Sequence, residues 1–447
     1  MKGPHGEFRT ELVRKVALAV FRGAADEAQV GGIIEFVPEF HEAEAPLSCD
    51  SLAAHQPGHG QRNAVRLKKC FKTADFRKLA KARLPSPIFH YIDGGSDDEI
   101  TLRRNTEAFE SCDLVPNVLA GVESVDLRTR VLGQQLSLPL FFSPTAMQRL
   151  FHHDGERAIA NVAKKFGTMF GVSTIGTCSI EELGGFTDVP KLFQIYVHND
   201  PALTSDLISR CKTSKFSALA LTVDTIVAGN RERDLVTGMT TPPKLTVRSL
   251  ISFLWHAEWT LNYLFRERFD LPSVSRYVEQ GSNVSSSVAA YIDSQMKRSI
   301  DWDDAAKMVE EWGGPFAIKG VMSVDDARRA VQIGASAIMI SNHGGRQLDG
   351  SRAPFDQLKA IVDAVGGQIE IIVDGGIRRG THVLKSLALG ATACSGGRWY
   401  LYALAAAGTA GVERALTLLR AEIERDMLLM GCRSIADLDS SKVIARP

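Results

Sequence analysis

The sequence predicts an α/β chain folded as a (β/α)8 barrel, and three observations carry that prediction. From Leu138 onward, short runs of apolar and β-branched residues alternate with longer stretches of helical period, the pattern of βα units around a parallel sheet. There are eight such runs, the number that closes a barrel. Residues able to do chemistry stand at the carboxyl ends of these runs, where this architecture builds its active sites.

The strands, in order, are LPLFFS (138–143), TMFGVST (168–174), KLFQIYV (191–197), SALALTVD (217–224), PFAIKG (315–320), AIMISN (337–342), IEIIVDGG (369–376) and TACSGG (392–397). Between them fit the helices DGERAIANVAKKFG, SIEELGGF, ALTSDLISRCKTS, DWDDAAKMVEEWG, SVDDARRAVQIGA, FDQLKAIVDAVG and RGTHVLKSLALGA. Several open with Asp or Ser, the residues that cap a first helical turn.

Two stretches depart from this rhythm. Residues 1–64 hold polar, Gly/Pro-bearing pieces such as HEAEAPLS and PGHGQRN around one short apolar segment, ELVRKVALAVF, and read as a poorly ordered extension of a barrel domain spanning 65–447. The interval 225–299 between strands four and five is far longer than a loop, and is the place for a lid or an oligomer contact. Within it, LTVRSLISFLWHAEWTLNYLF (245–265) reads as an amphipathic, aromatic-bearing helix that either lies on a membrane surface or covers the barrel or a subunit contact. The Ser-rich QGSNVSSSVA reads as mobile.

Composition narrows the function classes. The chain of 447 residues is 45% hydrophobic and 23% charged, and its 52 Lys plus Arg balance 52 Asp plus Glu. No global field favours nucleic acid. Seven cysteines, an odd number without CxxC spacing, suggest reduced thiols in a cytoplasmic setting, neither a disulfide framework nor a zinc site. VALAVF is too short for a signal peptide and runs into Arg22, and no apolar run reaches membrane-spanning length. The pairs His152-His153 and HQPGH (55–59) lack a carboxylate or cysteine set at ligand spacing, so they read as solvated loop histidines and no metal is expected.

The strand ends then define a site. Strand two ends in Ser173, strand three in Gln194 and Tyr196, strand four in Thr222 and Asp224 with Arg231 beyond, and strand five in Lys319. Strand six gives Ser341, His343 and Arg346, strand seven Asp374, Gly375, Gly376 and Arg378, and strand eight Gly397 and Arg398. Glycines let a backbone approach an anion while an arginine neutralises it, and the last two loops are the usual phosphate site of this architecture. Lys319 suits either an imine with a carbonyl substrate or charge stabilisation on a reduced cofactor. Ser173, Gln194 and Thr222 are groups that hold a flat heterocycle by its polar edge, which favours the second role. His343 is suited to take a proton, Asp224 to orient it, and Arg346 to bind a carboxylate in a fork.

These motifs together resemble the FMN-dependent L-2-hydroxy acid oxidizing family of glycolate oxidases, L-lactate dehydrogenases and oxidases, and mandelate dehydrogenases. The resemblance covers about Leu67 to the carboxyl terminus and rests on FHYIDGGSDDE, SPTAMQ, FQIYV, LTVDT, NRERD, IKG, SNHGGRQLDG, DGGIRRG and GGR in order. NRERDLVTGMTTPPKLT and GRWYLYALAAAG are most similar to bacterial respiratory L-lactate dehydrogenases. The resemblance implies that His343 is the base, paired with Asp224, that Arg346 and Tyr91 hold the substrate carboxylate with Arg231 nearby, and that Tyr196 contacts the hydroxyl. It implies flavin contacts from Thr145, Ser173, Gln194, Thr222, Lys319 and Ser341, and places Asp374, Arg378, Gly397 and Arg398 at the ribityl phosphate end.

The implied reaction passes two electrons from an L-2-hydroxy acid, L-lactate favoured, to FMN and on to a quinone, a cytochrome or oxygen. A homo-oligomer, a tetramer in the family, and a location in the cytoplasm or at the inner face of the cytoplasmic membrane go with it. The alternatives are a peroxide-forming oxidase or, outside catalysis, a flavin-binding scaffold. Ala228 replaces a proline of many members and Ile175 a bulky aromatic of glycolate oxidases, so the substrate's chain length stays open. The amino-terminal extension lacks the HPGG motif of a haem domain.

Overall fold

The structure, a computed structural model, describes residues 66–186, 188–239, 244–267, 269–275 and 296–446. The extension 1–64, with HQPGH, and the Ser-rich piece lie outside these residues. All eight expected strands form: β1 (Leu140–Thr145), β2 (Phe170–Ser173), β3 (Lys191–Ile195), β4 (Ala218–Thr222), β5 (Phe316–Val321), β6 (Ala337–Ile340), β7 (Glu370–Asp374) and β8 (Ala393–Gly396). They pair in parallel, in chain order, and β8 pairs with β1 to close the barrel.

Strand side chains alternate between two faces, and here both faces are buried. One set, including Phe142, Val172, Phe193, Leu221, Ile318, Ile340 and Val373, packs outward under the helices. The other set fills the lumen with Phe141, Met169, Leu192, Ala220, Ala317, Met339, Ile372 and Ala393. Small alanines in one cluster with Phe and Met let the side chains share the narrow space.

The seven expected helices form as well, and their caps work as the sequence requires. Ser179, Asp301 and Ser323 each accept a hydrogen bond from the backbone N–H three residues on. Four features escape the βα pattern. Helices Thr73–Arg83, Ser86–Asp93 and Ile100–Glu107 precede the barrel. A hairpin, Thr129–Val131 with Gln134–Leu136, turns through Leu132 and Gly133 at positive φ and packs Val131, Leu132 and Leu136 with the lumen residues, plugging the amino-terminal end of the barrel. The strands Cys112–Leu114 and Val443–Ala445 pair antiparallel. The long helix Arg398–Leu429 packs on Thr73–Arg83 and is interrupted at Ala407 and Gly408.

The interval after β4 corrects one expectation. The segment 245–265 forms two helices, Val247–Trp255 and Ala257–Phe265, because the chain leaves helical geometry at His256 (φ −100°, ψ 52°). One side covers the barrel: Phe253 and Thr260 are buried, and Trp259 Nε1 donates to Leu150 O at 2.8 Å. The other exposes Val247, Ile251 and Trp255, spaced four apart on one helical face. Further on, Leu271 and Val274 are buried against Met147 and Ile175, so the returning chain roofs the loops after β1 and β2. No helix among the described residues is long and apolar enough to cross a membrane.

Candidate active site

Each barrel strand changes character along its inward face, from apolar in the lower lumen to one buried polar group at the top. Ser143, Ser173, Gln194, Thr222, Lys319, Ser341, Asp374 and Ser395 are all buried, and each stands two residues beyond an inward apolar or glycine position. Register puts them at one level: Ser173 faces Gln194 across β2 and β3, Thr222 faces Lys319 across β4 and β5, and Asp374 faces Ser395 across β7 and β8. The residues expected to hold a heterocycle therefore come together as the rim of one lumen.

That rim holds a buried ion pair. Lys319 Nζ lies 2.9 Å from Asp374 Oδ2 and donates to Ser341 Oγ at 3.0 Å. Asp374 also accepts from Ser341 and Ser395 hydroxyls at 2.8 and 2.7 Å. Burial opposes both charges, yet their mutual attraction and these hydrogen bonds win, lowering the Asp374 carboxyl to about 2 and raising Lys319 above its ordinary range. The Asp374 side chain thus turns to Lys319, while the chain beyond it runs into the Gly375–Gly376 turn that also lines the cavity. The Asp374 carboxylate serves Lys319 and would repel a phosphate. On β3 and β4, Gln194 Nε2 and Thr222 Oγ1 are buried without a partner among the described residues. Polar atoms left so are costly unless a ligand completes them, and their place on the rim suits the polar edge of a ring.

Above the rim, His343 sits in a turn of three consecutive positive φ values, 56° for itself, 68° for Gly344 and 72° for Gly345. A side chain at Gly345 would strike the backbone of Leu102, with an added Cβ 2.6 Å from its nitrogen. The turn is locked from outside by a reciprocal amide pair, Asn342 with Asn105, at 2.7 and 2.9 Å. His343 Nδ1 lies 3.1 Å from Asp224 Oδ1. Burial works against the Asp224 charge, but His343 and Lys319 hold its carboxyl below the usual range, so it is ionised and accepts the Nδ1 proton. Nε2 is then the ring's free acceptor. Burial, only partly offset by Asp224, depresses His343 itself.

Cations gather on the next wall. The Arg346 guanidinium carbon lies 4.8 Å from the centre of the Tyr91 ring, and that of Arg231 lies 5.6 Å from it. Burial, with the repulsion of Arg231, pushes Arg346 down to about 10, still cationic at neutral pH. Asp234, the buried acid facing them, is 3.5 Å from Arg231 and is itself raised by burial. Two arginines against one such acid leave room for a substrate carboxylate. The Tyr196 phenol, raised chiefly by burial and then by Asp224 and Tyr91, stays protonated and can donate.

At the other end, Gly375, Gly376 and Gly397 bring backbone close, and Gly397 opens the helix Arg398–Leu429. An added Cβ at Gly376, where φ is 74°, would lie 1.9 Å from Asn105 O, and one at Gly397 would lie 2.7 Å from Thr145 Cγ2. Arg378 and Arg398 flank this cradle, both lowered first by burial. Thr145 Oγ1 lies 2.7 Å from Tyr400 Oη, which donates to Ser143 O at 2.6 Å. A cavity of about 410 Å³ joins these parts, from Tyr91, Tyr196, Arg231, His343 and Arg346 past Lys319 to Arg378 and Arg398.

Some participants were not legible as such. Gln347 donates to Asp224 O and Val227 O at 2.9 and 2.8 Å, tying the loop after β6 to that after β4. Met147, Met239 and Phe269 supply the cavity's apolar wall, and no local motif marks them. Ser143 and Ser395 were readable from the two-residue period alone. His152 and His153, expected to be solvated, are partly buried and stacked at 4.2 Å beside Asp154. One ligand atom from each of His152, His153 and Asp154 lies within 4.8 Å of the others, so the expected lack of a carboxylate beside the pair does not hold, while Arg83, Arg149 and Arg266 add positive charge nearby.

Comparison with known proteins places this geometry. A family model described as FMN-dependent dehydrogenase matches residues 80–445. An L-lactate dehydrogenase of Vibrio parahaemolyticus is 38% identical over 376 residues, covering 84% of this chain and 99% of that protein. Glycolate oxidase 1 of Zea mays is 37% identical over 370 residues, covering 83% and 94%. Among solved structures, the monotopic membrane protein (S)-mandelate dehydrogenase superposes with a TM-score of 0.81 at 32% identity, covering 85% of this chain and all of that one. A lactate oxidase of Pediococcus acidilactici gives 0.72 at 32% identity, covering 85% and 96%.

Proposed function

The chain belongs to the FMN-dependent dehydrogenase family and oxidises a 2-hydroxy acid to the 2-oxo acid, and from that premise we propose that its substrate is L-lactate and its electron acceptor a respiratory quinone or cytochrome. The observation that carries the catalytic reading is the His343–Asp224 pair, which opens into the same cavity as the arginines Arg231 and Arg346. A flavin-binding scaffold without turnover has no use for a base and its orienting acid. L-Lactate is favoured by the likeness to the Vibrio L-lactate dehydrogenase, and Ile175 and Ala228 leave the wall open to somewhat longer side chains.

The residues fit FMN. Gln194 Nε2 and Thr222 Oγ1 supply unmet donors for the ring edge, Ser173, Lys319 and Ser341 complete that rim, and Thr145 lies beside Gly397. Asp374 fixes Lys319 and would accept from a ribityl hydroxyl, while Gly375, Gly376, Gly397, Arg378 and Arg398 would hold the phosphate. When bound, FMN accepts the two electrons that leave the substrate α-carbon.

The protein's part is orientation and proton transfer. Arg346, Arg231 and Tyr91 fix the carboxylate, which sets the α-carbon before His343. Tyr196 contacts the substrate hydroxyl. His343 Nε2 takes one proton, and the Asp224 carboxylate stabilises the imidazolium that results. Lys319, held by Asp374 and Ser341, would offer fixed positive charge to the polar edge of a bound ring. The same residues serve whether the proton comes from the α-carbon or the hydroxyl.

The test is anaerobic stopped-flow reduction by a panel of L-2-hydroxy acids, followed by mixing with quinone or with oxygen. L-Lactate should bleach the flavin fastest, and quinone should reoxidise it faster than oxygen. Rapid reoxidation by oxygen with stoichiometric peroxide would instead establish an oxidase. The exposed Val247–Ile251–Trp255 face supports docking at the inner face of the cytoplasmic membrane. Vesicle flotation should lose binding when these three become Ser. We assign a homotetramer by family likeness, to be checked by light scattering.

A further inference from the structure

The turn that ends the helix Ser86–Asp93 touches both ends of the cavity. Tyr91 O and Gly94 O accept from Arg346, the latter at 3.4 Å. Ile92 O and Gly94 O accept from Arg398 at 2.8 and 2.7 Å. One oxygen, that of Gly94, thus serves the arginine beside His343 and the arginine after β8. The same turn is stitched to the histidine loop by Ser96 N–H donating to Gly345 O, and to the loop after β4 by Asp97 N–H donating to Asn230 O, both at 2.9 Å.

Asp93 holds this turn in place. Its side chain is buried, and both oxygens are fully used. Oδ1 accepts from Arg77 Nε and from Tyr402 Oη at 2.8 Å, and Oδ2 accepts from Arg77 Nη2 at 2.7 Å and Arg233 Nη1 at 3.0 Å. The donors come from three elements: the helix Thr73–Arg83, the helix Glu232–Thr237 after β4, and the long helix after β8. Four hydrogen bonds, most of them charge-assisted, make a rigid anchor for the carbonyls that follow. Asp93 itself does not line the cavity.

We propose that Asp93 is a positioning residue that, through the carbonyls of Tyr91, Ile92 and Gly94, sets Arg346 and Arg398 as one unit, so that filling the phosphate end strengthens capture of the substrate carboxylate. Each guanidinium spends N–H groups on these carbonyls, Arg398 one more on Gly344 O at 2.6 Å, and both side chains line the cavity with donors to spare. A loosened turn leaves both forks misdirected at once. The inference rests on the reading of Arg346 as the carboxylate-binding group.

The experiment compares the holoenzyme with Asp93→Asn and with Arg77→Gln, a milder change because the Arg77 side chain is half-exposed. Measured are KM for L-lactate, Ki for pyruvate, the limiting rate of flavin reduction and the rate of FMN loss on dilution. Asp93→Asn should raise KM, Ki and FMN loss by on the order of tenfold while the limiting rate changes less than about threefold. Arg77→Gln should move the same quantities by less, and decides the matter if Asp93→Asn does not fold. Coupling is read directly by pyruvate affinity of wild-type protein loaded with FMN or with riboflavin, which lacks the phosphate. Affinity should be about fivefold weaker with riboflavin, and the difference should vanish in the variants. Equal pyruvate affinity with both flavins in the wild type overturns the proposal, as does an undiminished difference in the variants. Arg346→Lys separates the two levels: if its KM is unchanged, the site reading itself fails, whereas a raised KM with silent Asp93 and Arg77 variants removes only the coupling.

Discussion

His343 Nδ1 and Asp224 Oδ1 lie 3.1 Å apart across the mouth of the barrel, joining loops that follow β6 and β4. The acid fixes the proton on Nδ1 and leaves Nε2 facing the cavity, so the pair has a direction that neither residue has alone. His343→Asn should keep FMN bound and the protein yellow, while anaerobic bleaching by L-lactate slows by about 10²- to 10⁴-fold, the usual worth of a general base. Stopped-flow absorbance measures it, and near-normal bleaching would remove His343 from the chemistry.

The same pair sets a pH dependence. Burial, with the charges of Lys319 and Arg346, outweighs the pull of Asp224 and holds His343 below the ordinary imidazole range. The base is therefore neutral at pH 7. The rate of flavin reduction should be level from neutrality upward and fall as acid protonates Nε2, with a midpoint below about 6.5. A rate that rises on acidification would contradict this sign.

Lys319→Met leaves Asp374 buried with its cation gone. Breaking one side of a buried pair costs about 3–5 kcal/mol, so urea unfolding of this variant should shift by that order and flavin content should drop. Adding Asp374→Asn removes the stranded charge and should restore part of the stability. If the single variant unfolds like wild type, the pair is not the charge hub of the lumen.

Two glycines with nearly the same φ separate backbone strain from packing. Gly350 (φ 77°) has open space around it, whereas an added Cβ at Gly376 (φ 74°) meets Asn105 O at 1.9 Å. Gly350→Ala should cost only the left-handed strain, about 1 kcal/mol, with flavin retained. Gly376→Ala should cost more than about 2 kcal/mol and release FMN. Thermal melts with flavin fluorescence give both numbers, and equal losses would show that the cradle is not close-packed.

Much of this was legible because barrels tie chemistry to strand order. Local runs such as AIMI and IEIIV fix the strands, and the strand ends name His343, Asp224, Lys319 and Arg346 before any contact is known. The two-residue period also locates the polar rim, since each rim residue follows an inward apolar or glycine position. What local pattern could not assign were partners distant in sequence. Asp374 reads from its DGG setting as part of a phosphate loop, yet its side chain turns to Lys319 on β5. Asn105 and Asn342 have no common motif, and the segment 245–265 carries no residue that forces its break at His256.

By itself the sequence determined the eight strands, the residue types at their ends and the family, because alternation, turn chemistry and motif order are properties of neighbouring residues. Only the tertiary structure decided which charges are paired, which donors stay unmet and which carbonyls hold two arginines together. Those depend on burial and on distances between residues far apart in the chain, and in a low-dielectric lumen such distances decide whether Lys319, Asp374 and His343 carry charge.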